Sequence, residues 1–300
     1  MNQEEYRVVE DPIYHYYKLN PIPLEKEMTK FYESDYYDLI RKGGRACELR
    51  RLTAGGQEAL AERRWLHKTL YTDIVHMLQQ HSSNMRLLDI GCGSGEFLDY
   101  AKNSGFKTVG IEPSLEAASE ARGKGIEVHC SSFEEFCCRH DRGSVEELFG
   151  SIVMLNVLEH VPDPVNLLQA TKALLKPGGI LCVRVPNDFS EIQLAAQRKV
   201  GKEAWWVAVP DHINYFNFDS LHLLLSELGF NVVCSQGDFP MEIFLLMGED
   251  YIGNAEIGNA CHNRRVNYEL SVGEELRRKI CGALGKAGVG RNCLAFGLKK

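Results

Sequence analysis

An α/β fold with a doubly wound, mostly parallel sheet of seven strands is what this sequence predicts, and two observations predict it. Leu87-Leu88-Asp89-Ile90-Gly91-Cys92-Gly93-Ser94-Gly95-Glu96-Phe97-Leu98 is an apolar run that breaks into alternating glycines and then resumes helical spacing. It reads as strand, tight turn and helix. Beyond it, short apolar runs alternate with amphipathic segments as far as about residue 235. That order lays parallel strands side by side with helices on both faces.

Residues 1–60 stand apart from this core as an N-terminal arm. Pro12, Pro21 and Pro23 interrupt regular structure there, and Tyr14, Tyr16, Tyr17, Tyr32, Tyr36 and Tyr37 crowd it. Short helices and loops are expected, packed as a lid or as a surface arm. From Gly56 to His81 the residues Leu60, Trp65, Leu66, Leu70, Ile74, Met77 and Leu78 recur at helical spacing, predicting an amphipathic helix ahead of the first core strand. The core, residues 61–235, then carries strands at 87–90, 108–111, 126–129, 151–156, 180–185 and 231–234. Helices at 96–104, 115–124, 134–140, 164–175 and 220–228 fall around them. Lys176-Pro177-Gly178-Gly179 is the turn that stops one helix and re-enters the sheet. The last core strand lies within 293–300, and the stretch before it, 236–292, far exceeds the few residues that usually join two elements. It predicts a helical insertion on the substrate side.

The 300 residues are 44% hydrophobic and 9% aromatic, ordinary for a globular chain. No apolar run reaches the roughly 18 to 20 residues of a membrane span, and Met1-Asn2-Gln3-Glu4-Glu5 lacks the basic and then apolar pattern of a signal peptide. A soluble, cytoplasmic protein without a membrane span is expected. The ten cysteines are scattered and form no C-x-x-C pair, so they read as small buried hydrophobes, with no metal site. A net charge of -7 argues against nucleic-acid binding, which needs Lys and Arg against phosphate. From Cys261 to Lys300, however, nine Lys or Arg meet three Glu. This segment is either a self-neutralising face or a local site for an anionic substrate group.

The glycine loop identifies the ligand class. Gly91, Gly93 and Gly95 permit positive φ and remove the Cβ atoms that would keep a ligand off the main chain, and the following helix start favours a polar or anionic group. Glu112, about twenty residues on, sits where an acidic side chain accepts hydrogen bonds from ribose hydroxyls. Nicotinamide dinucleotides and S-adenosylmethionine both carry such a ribose. A dinucleotide loop is G-x-G-x-x-G, whereas this one is G-x-G-x-G with Glu96 in the third glycine's place, and a Glu beside a diphosphate is repelled.

Four blocks in order resemble the class I S-adenosylmethionine-dependent methyltransferases, over about residues 85–235. They are Leu87 to Leu98, Val109-Gly110-Ile111-Glu112-Pro113-Ser114, the run Ser151 to Pro164 containing Leu155-Asn156-Val157-Leu158-Glu159-His160, and Leu174 to Val185 with its Lys-Pro-Gly-Gly turn. The resemblance implies a Rossmann-like methyltransferase fold with S-adenosyl-L-methionine as cofactor. It implies that Gly91, Gly93 and Gly95 line the methionine part, that Asp89 supports the loop, and that Glu112 holds the ribose. Ser131, Ser132 and Phe133 would meet adenine, although the Asp common there in the family is missing. Leu155 and Asn156 would flank the cofactor.

Methyl transfer from a sulfonium requires an aligned nucleophile and, for a hydroxyl or acidic carbon, a proton acceptor. His160 and His212 are the candidates, with Asn214 and Tyr215 beside His212 as candidate substrate-binding groups and Arg264 and Arg265 for an anionic group. A looser likeness to methyltransferases of bacterial surface-sugar and secondary-metabolite pathways implies a small-molecule acceptor, a sugar or nucleotide-linked sugar. An O-methyltransferase of a quinone or phenolic substrate is the alternative, and a non-catalytic S-adenosylmethionine-binding protein or an oxidoreductase are the others.

Overall fold

Leu87, Leu88, Asp89 and Ile90 are buried in succession rather than alternately, as in a strand covered on both faces. They belong to a computed structural model that describes residues 6–23, 50–52, 55–82, 84–139 and 148–300. Its contacts gather into two units, one of Leu24–Val153 and one of Met1–Pro23 with Met154–Lys300.

The N-terminal residues of the second unit are strands, not the short helices and loops expected. β1 (Arg7–Glu10) and β2 (Tyr17–Asn20) pair antiparallel. Asp11 makes the turn between them, its carboxylate accepting from the amides of Ile13 and Tyr14 at 3.0 and 2.9 Å. Pro12 sits in that turn and Pro21 just past β2, so the prolines bound the strands without interrupting them. Tyr16 is buried with its ring 4.8 Å from that of Phe216. Tyr32, Tyr36 and Tyr37 lie outside the described residues.

In the first unit, α1 (Gly56–Leu66), a π-helical turn (His67–Tyr71) and α2 (Thr72–His81) follow one another. Trp65, Leu66, Ile74 and Leu78 form the buried stripe, while Leu60, counted in that stripe by periodicity, is exposed. Strands and helices then alternate as β3 (Arg86–Ile90), α3 (Glu96–Asn103), β4 (Lys107–Ile111), α4 (Leu115–Gly123), β5 (Glu127–His129), α5 (Phe133–Arg139) and β6 (Phe149–Leu155). Ser114 caps α4 by accepting from Ala117 N, and Ser132 Oγ accepts from Glu135 N at the start of α5. β3 lies in parallel register between β4 and β6, with Leu88 opposite Val109 and Ile152. The strand order therefore reverses at β3, the place where an open α/β sheet leaves a crevice beyond the carboxyl ends of its strands.

The second unit continues with α6 (Pro164–Leu174), whose N-cap Asp163 accepts from Asn166 N at 2.9 Å, and β7 (Leu175–Pro186). Lys176 to Gly179, exposed at Pro177 and Gly178, are thus the lead-in of a long strand as well as the stop of the helix. α7 (Glu191–Val200), β8 (Asn214–Tyr215) and α8 (Phe218–Glu227) come next; β8 pairs with β2, and a reciprocal Asn217–Ser220 capping box opens α8. β9 (Phe230–Gly237) runs further than expected, and α9 (Glu242–Leu246), α10 (Ala255–Ser271) and α11 (Glu274–Lys286) precede β10 (Asn292–Lys299). β10 is antiparallel to both β7 and β9. The seven strands follow the order β5-β4-β3-β6-β7-β10-β9, the mostly parallel doubly wound sheet read from the sequence. Among the described residues no helix is long and apolar enough to cross a membrane.

Candidate functional site

The loop after β3 has the left-handed backbone that its glycines permit: Gly91, Gly93 and Gly95 have φ of 74°, 53° and 76°. The amides of Gly91 and Cys92 donate to Ile111 O at 2.8 and 3.0 Å. The amides of Gly93 and Ser114 donate to the two oxygens of Glu112, each at 2.9 Å. Burial raises the Glu112 carboxyl, and these amides partly offset that. Cβ positions separate Gly95 from Gly93 by role. One on Gly95 would come within 2.9 Å of Ile126 and Ala121, whereas one on Gly93 would meet nothing within 4 Å. Gly93 therefore borders open space that a ligand can enter.

Asp89, at the end of β3, is buried, and its Oδ1 has no hydrogen-bond partner. Burial and then the charge of Glu112 raise its carboxyl well above the ordinary range. An open glycine face, an orphaned buried carboxyl and Glu112 together fit a small ribose-bearing ligand with hydrogen-bond donors. Ser131 and Phe133 are buried at the end of β5, and Ser132 is occupied in capping α5. Glu96 does not face the loop's open side with a bare charge. It accepts from Arg63 at 2.7 and 2.9 Å and from Lys124 at 2.8 Å, and Lys124 also holds Ser94 O. The case against a dinucleotide thus rests on the missing third glycine rather than on repulsion by Glu96.

Within the second unit, Leu155 is half-buried at the end of β6, and Asn156 takes a φ of 60°. Asn156 N donates to Arg184 O at 2.8 Å, its Nδ2 donates to Glu159 Oε1 at 3.0 Å, and its Oδ1 accepts from Arg184 Nη1. The sequence signal for Arg184 was its place as a lone charge in the apolar run Leu181 to Val185, and reading by motif passed over it. His160 Nδ1 donates to Asp211 O at 2.8 Å and lies 3.2 Å from Asp211 Oδ1. Burial alone would lower the His160 imidazole, but the hydrogen bond and charge of Asp211, with the charge of Glu159, push it up to about 9. Asp211 and Glu159 thus favour its protonated form. The His212 ring stands edge-on to it, centroids 4.9 Å apart. Ligand atoms of Glu159, His160 and His212 lie within 4.8 Å of one another, but the Glu159 charge already faces His160 and Arg184.

The remaining candidates are engaged in holding the chain. Asn214 Nδ2 donates to Leu158 O and Val161 O at 3.1 and 2.8 Å. Tyr215 Oη donates to His212 O at 2.9 Å and accepts from Ala208 N at 3.3 Å. Both side chains are buried, and they clasp the 208–215 loop that carries His212. Arg264 pairs with Glu249 at 2.5 Å. Arg265 is buried between Asp238 and Glu269, 3.1 Å from each.

A family model described as a methyltransferase domain matches residues 62–235. Among curated proteins, the chain is 33% identical over 113 residues to the ubiquinone biosynthesis O-methyltransferase of Actinobacillus pleuropneumoniae serotype 5b (strain L20), covering 35% of this chain and 48% of that protein. The protein of the same name from Aromatoleum aromaticum is 36% identical over 100 residues, 31% of this chain and 41% of that one. The chain thus spans about half the length or less of these curated relatives. Among solved structures, a SAM-dependent methyltransferase from Archaeoglobus fulgidus superposes with a TM-score of 0.51 at 19% identity, covering 88% of this chain and all of that one. The magnesium protoporphyrin IX methyltransferase of Synechocystis PCC 6803, with SAH bound, gives 0.51 at 12% identity, with 92% and 100% coverage. At these identities the two structures speak for the fold alone.

Proposed function

The chain belongs to the methyltransferase-domain family, and from that premise we propose that it transfers a methyl group from S-adenosylmethionine to an oxygen of a small molecule. The observation that carries this reading is the loop geometry: Gly93 opens onto free space while its amide is tied to Glu112 at 2.9 Å. Gly91, Gly93 and Gly95 would hold the methionine part, Glu112 the ribose, and Asp89 would find the donor it lacks. When bound, S-adenosylmethionine supplies the electrophilic methyl group.

The residues of the second unit divide the remaining work. His160, charged and anchored on Asp211, is a positioning group. His212, the other imidazole of the pair, is the one left to take a proton from the acceptor's hydroxyl. Asn214 and Tyr215 set where His212 stands. The names of the curated relatives favour a quinone precursor or other phenol as acceptor. A sugar or nucleotide-linked sugar is the second reading, favoured by buried, unpartnered carboxylate oxygens at Asp188 and Glu242, which suit a polar acceptor better than an aromatic ring.

Calorimetry with S-adenosylmethionine and a methyl-transfer screen over phenols, quinone precursors and sugar nucleotides test this reading together. Saturable binding with transfer to one class supports it. Binding with transfer to none of them leaves the chain as a non-catalytic S-adenosylmethionine-binding protein, and tight NAD binding in place of S-adenosylmethionine would make it an oxidoreductase.

A further inference from the structure

Arg184, the lone charge in the run Leu181 to Val185, is buried in β7, and its guanidinium has oxygens on two sides. Nη1 donates to Asn156 Oδ1, and Nη2 lies 3.6 Å from Asp238 Oδ2. Asp238, just past β9, is held in turn from α10 and β10. Its Oδ2 accepts from Arg265 Nη2 at 3.1 Å and from Asn292 Nδ2 at 2.6 Å, and its Oδ1 accepts from Asn292 N at 2.7 Å. Arg265 stands on α10 and is braced there by Glu269, one turn on, at 3.1 Å. A planar guanidinium gripped on two edges has little freedom to turn.

The same guanidinium decides which way Asn156 faces. With Oδ1 on Arg184, the Asn156 Nδ2 donates to Glu159 Oε1 at 3.0 Å. Turned over, the amide would put its N–H groups against the cation and its oxygen against the carboxyl, so the Arg184 charge fixes the orientation. Glu159 Oε1 then lies 3.9 Å from His160 Nε2, while His160 Nδ1 is held by Asp211. Cationic and acidic groups alternate along this row, from Arg265 through Asp238, Arg184 and, past the Asn156 amide, Glu159 and His160 to Asp211. Burial raises the Glu159 carboxyl, while the charge of His160, the hydrogen bond from Asn156 and the charge of Arg184 pull it back. Glu159 also acts on Asp188, in the loop after β7. The groups acting on His160 are Asp211 and Glu159, with the His212 ring edge-on.

We propose that Arg184 is a positioning residue: through the Asn156 amide it keeps Glu159 turned to His160 as a counter-charge, and the insertion seats it through Asp238. The state of the His160–His212 pair then depends on a side chain two links away. This rests on the methyl-transfer reading, because it is that reaction whose proton the pair would handle.

The test is a double-mutant cycle on the full chain, read as the midpoint of the His160 imidazole titration by NMR. Arg184→Met removes the guanidinium, and Asn156→Gly removes the amide while keeping the left-handed φ of 60° without strain. In each the His160 midpoint should fall by about one pH unit, the low end of what an opposite charge at such a distance is worth. The double variant should fall no further than either single one, because both break one path. Arg184→Lys keeps the charge and one donor but not the two-edged grip, so its midpoint should lie between those of Arg184→Met and the parent. Arg184 acting only as a nearby cation would give the opposite sign, since its loss would raise the midpoint. A raised or unmoved midpoint, or additive falls in the double variant, would overturn the proposal. Should Arg184→Met not fold, Arg184→Lys and Asn156→Gly decide, and an unmoved His160 in both overturns it. S-adenosylmethionine calorimetry on the parent is run alongside. Absence of binding there would count against the methyl-transfer reading, whereas the role of Arg184 stands or falls on the titrations.

Discussion

Arg63 and Glu96 meet in a two-pronged ion pair, Nε and Nη2 of the guanidinium donating at 2.7 and 2.9 Å to the two carboxylate oxygens. The pair joins α1 to the first residue of α3, immediately after the glycine loop, and Lys124 ties the same carboxylate to Ser94 O. Burial raises the Glu96 carboxyl, but Arg63 and Lys124 outweigh it and hold the group below its ordinary range. Glu96→Gln should therefore destabilise the fold by about 1 to 2 kcal/mol at neutral pH. Because the folded-state value is depressed, that contribution exists above the ordinary carboxylate range and disappears as pH falls through the lowered value. Urea unfolding of both proteins at neutral and acid pH checks this: the difference in midpoint should shrink on acidification, and a constant difference would show that the ion pair is not its source.

Two glycines of the loop should separate binding from stability. Ala at position 95 carries its methyl into Ile126 and Ala121, so Gly95→Ala should cost more than the roughly 1 kcal/mol of a positive-φ alanine. Ala at position 93 meets no protein atom, and Gly93→Ala should lose little more than that strain while its methyl occupies the ligand's side of the loop. Thermal melts paired with S-adenosylmethionine calorimetry decide the matter. If Gly93→Ala binds as the parent does, the open face of Gly93 is not where the cofactor lies.

The parts of the fold that were legible in the sequence are those whose cause is local. The glycine loop, its acidic partner at Glu112 and the alternation of strands and helices depend on neighbours within about one βαβ unit. What stayed hidden depends on distant pairing. The strand at Tyr17–Asn20 pairs on one edge with Arg7–Glu10 and on the other with Asn214 and Tyr215, and nothing near the prolines announces the second pairing. Asn214 and Tyr215 look like site residues in a string of polar letters. Their donors reach the backbone of Leu158, Val161 and His212, contacts that the letters alone do not announce. Asp188 and Glu242 were invisible for the same reason, since a buried oxygen without a partner can be recognised only once its surroundings are known.

Removing the candidate base should stop chemistry without loosening the cofactor. His212→Gln keeps a similar volume but no group able to take a proton at neutral pH, so turnover should drop about 10²- to 10⁴-fold with S-adenosylmethionine affinity unchanged. Single-turnover methyl transfer at saturating cofactor is the measurement. Full activity would mean that the acceptor is deprotonated in solution or by another residue.

The His160–Asp211 contact predicts a pH signature in stability. The His160 imidazole is raised from an ordinary 6.5 to about 9, so folding favours its protonated form. A raised folded-state value contributes stability that is fully present below 6.5, declines between the two values, and is gone once pH rises through about 9. The parent's melting temperature should accordingly fall across that window. Asp211→Asn removes the charge that holds the proton, so its melting temperature should lie below the parent's at pH 6 and converge with it as the parent's imidazolium is lost. Melts at fixed ionic strength, with the imidazole followed by NMR, give both halves of the test. Parallel curves for the two proteins would show that Asp211 does not hold His160 in its charged state, and His160 would then stand beside His212 as an equal candidate for the base.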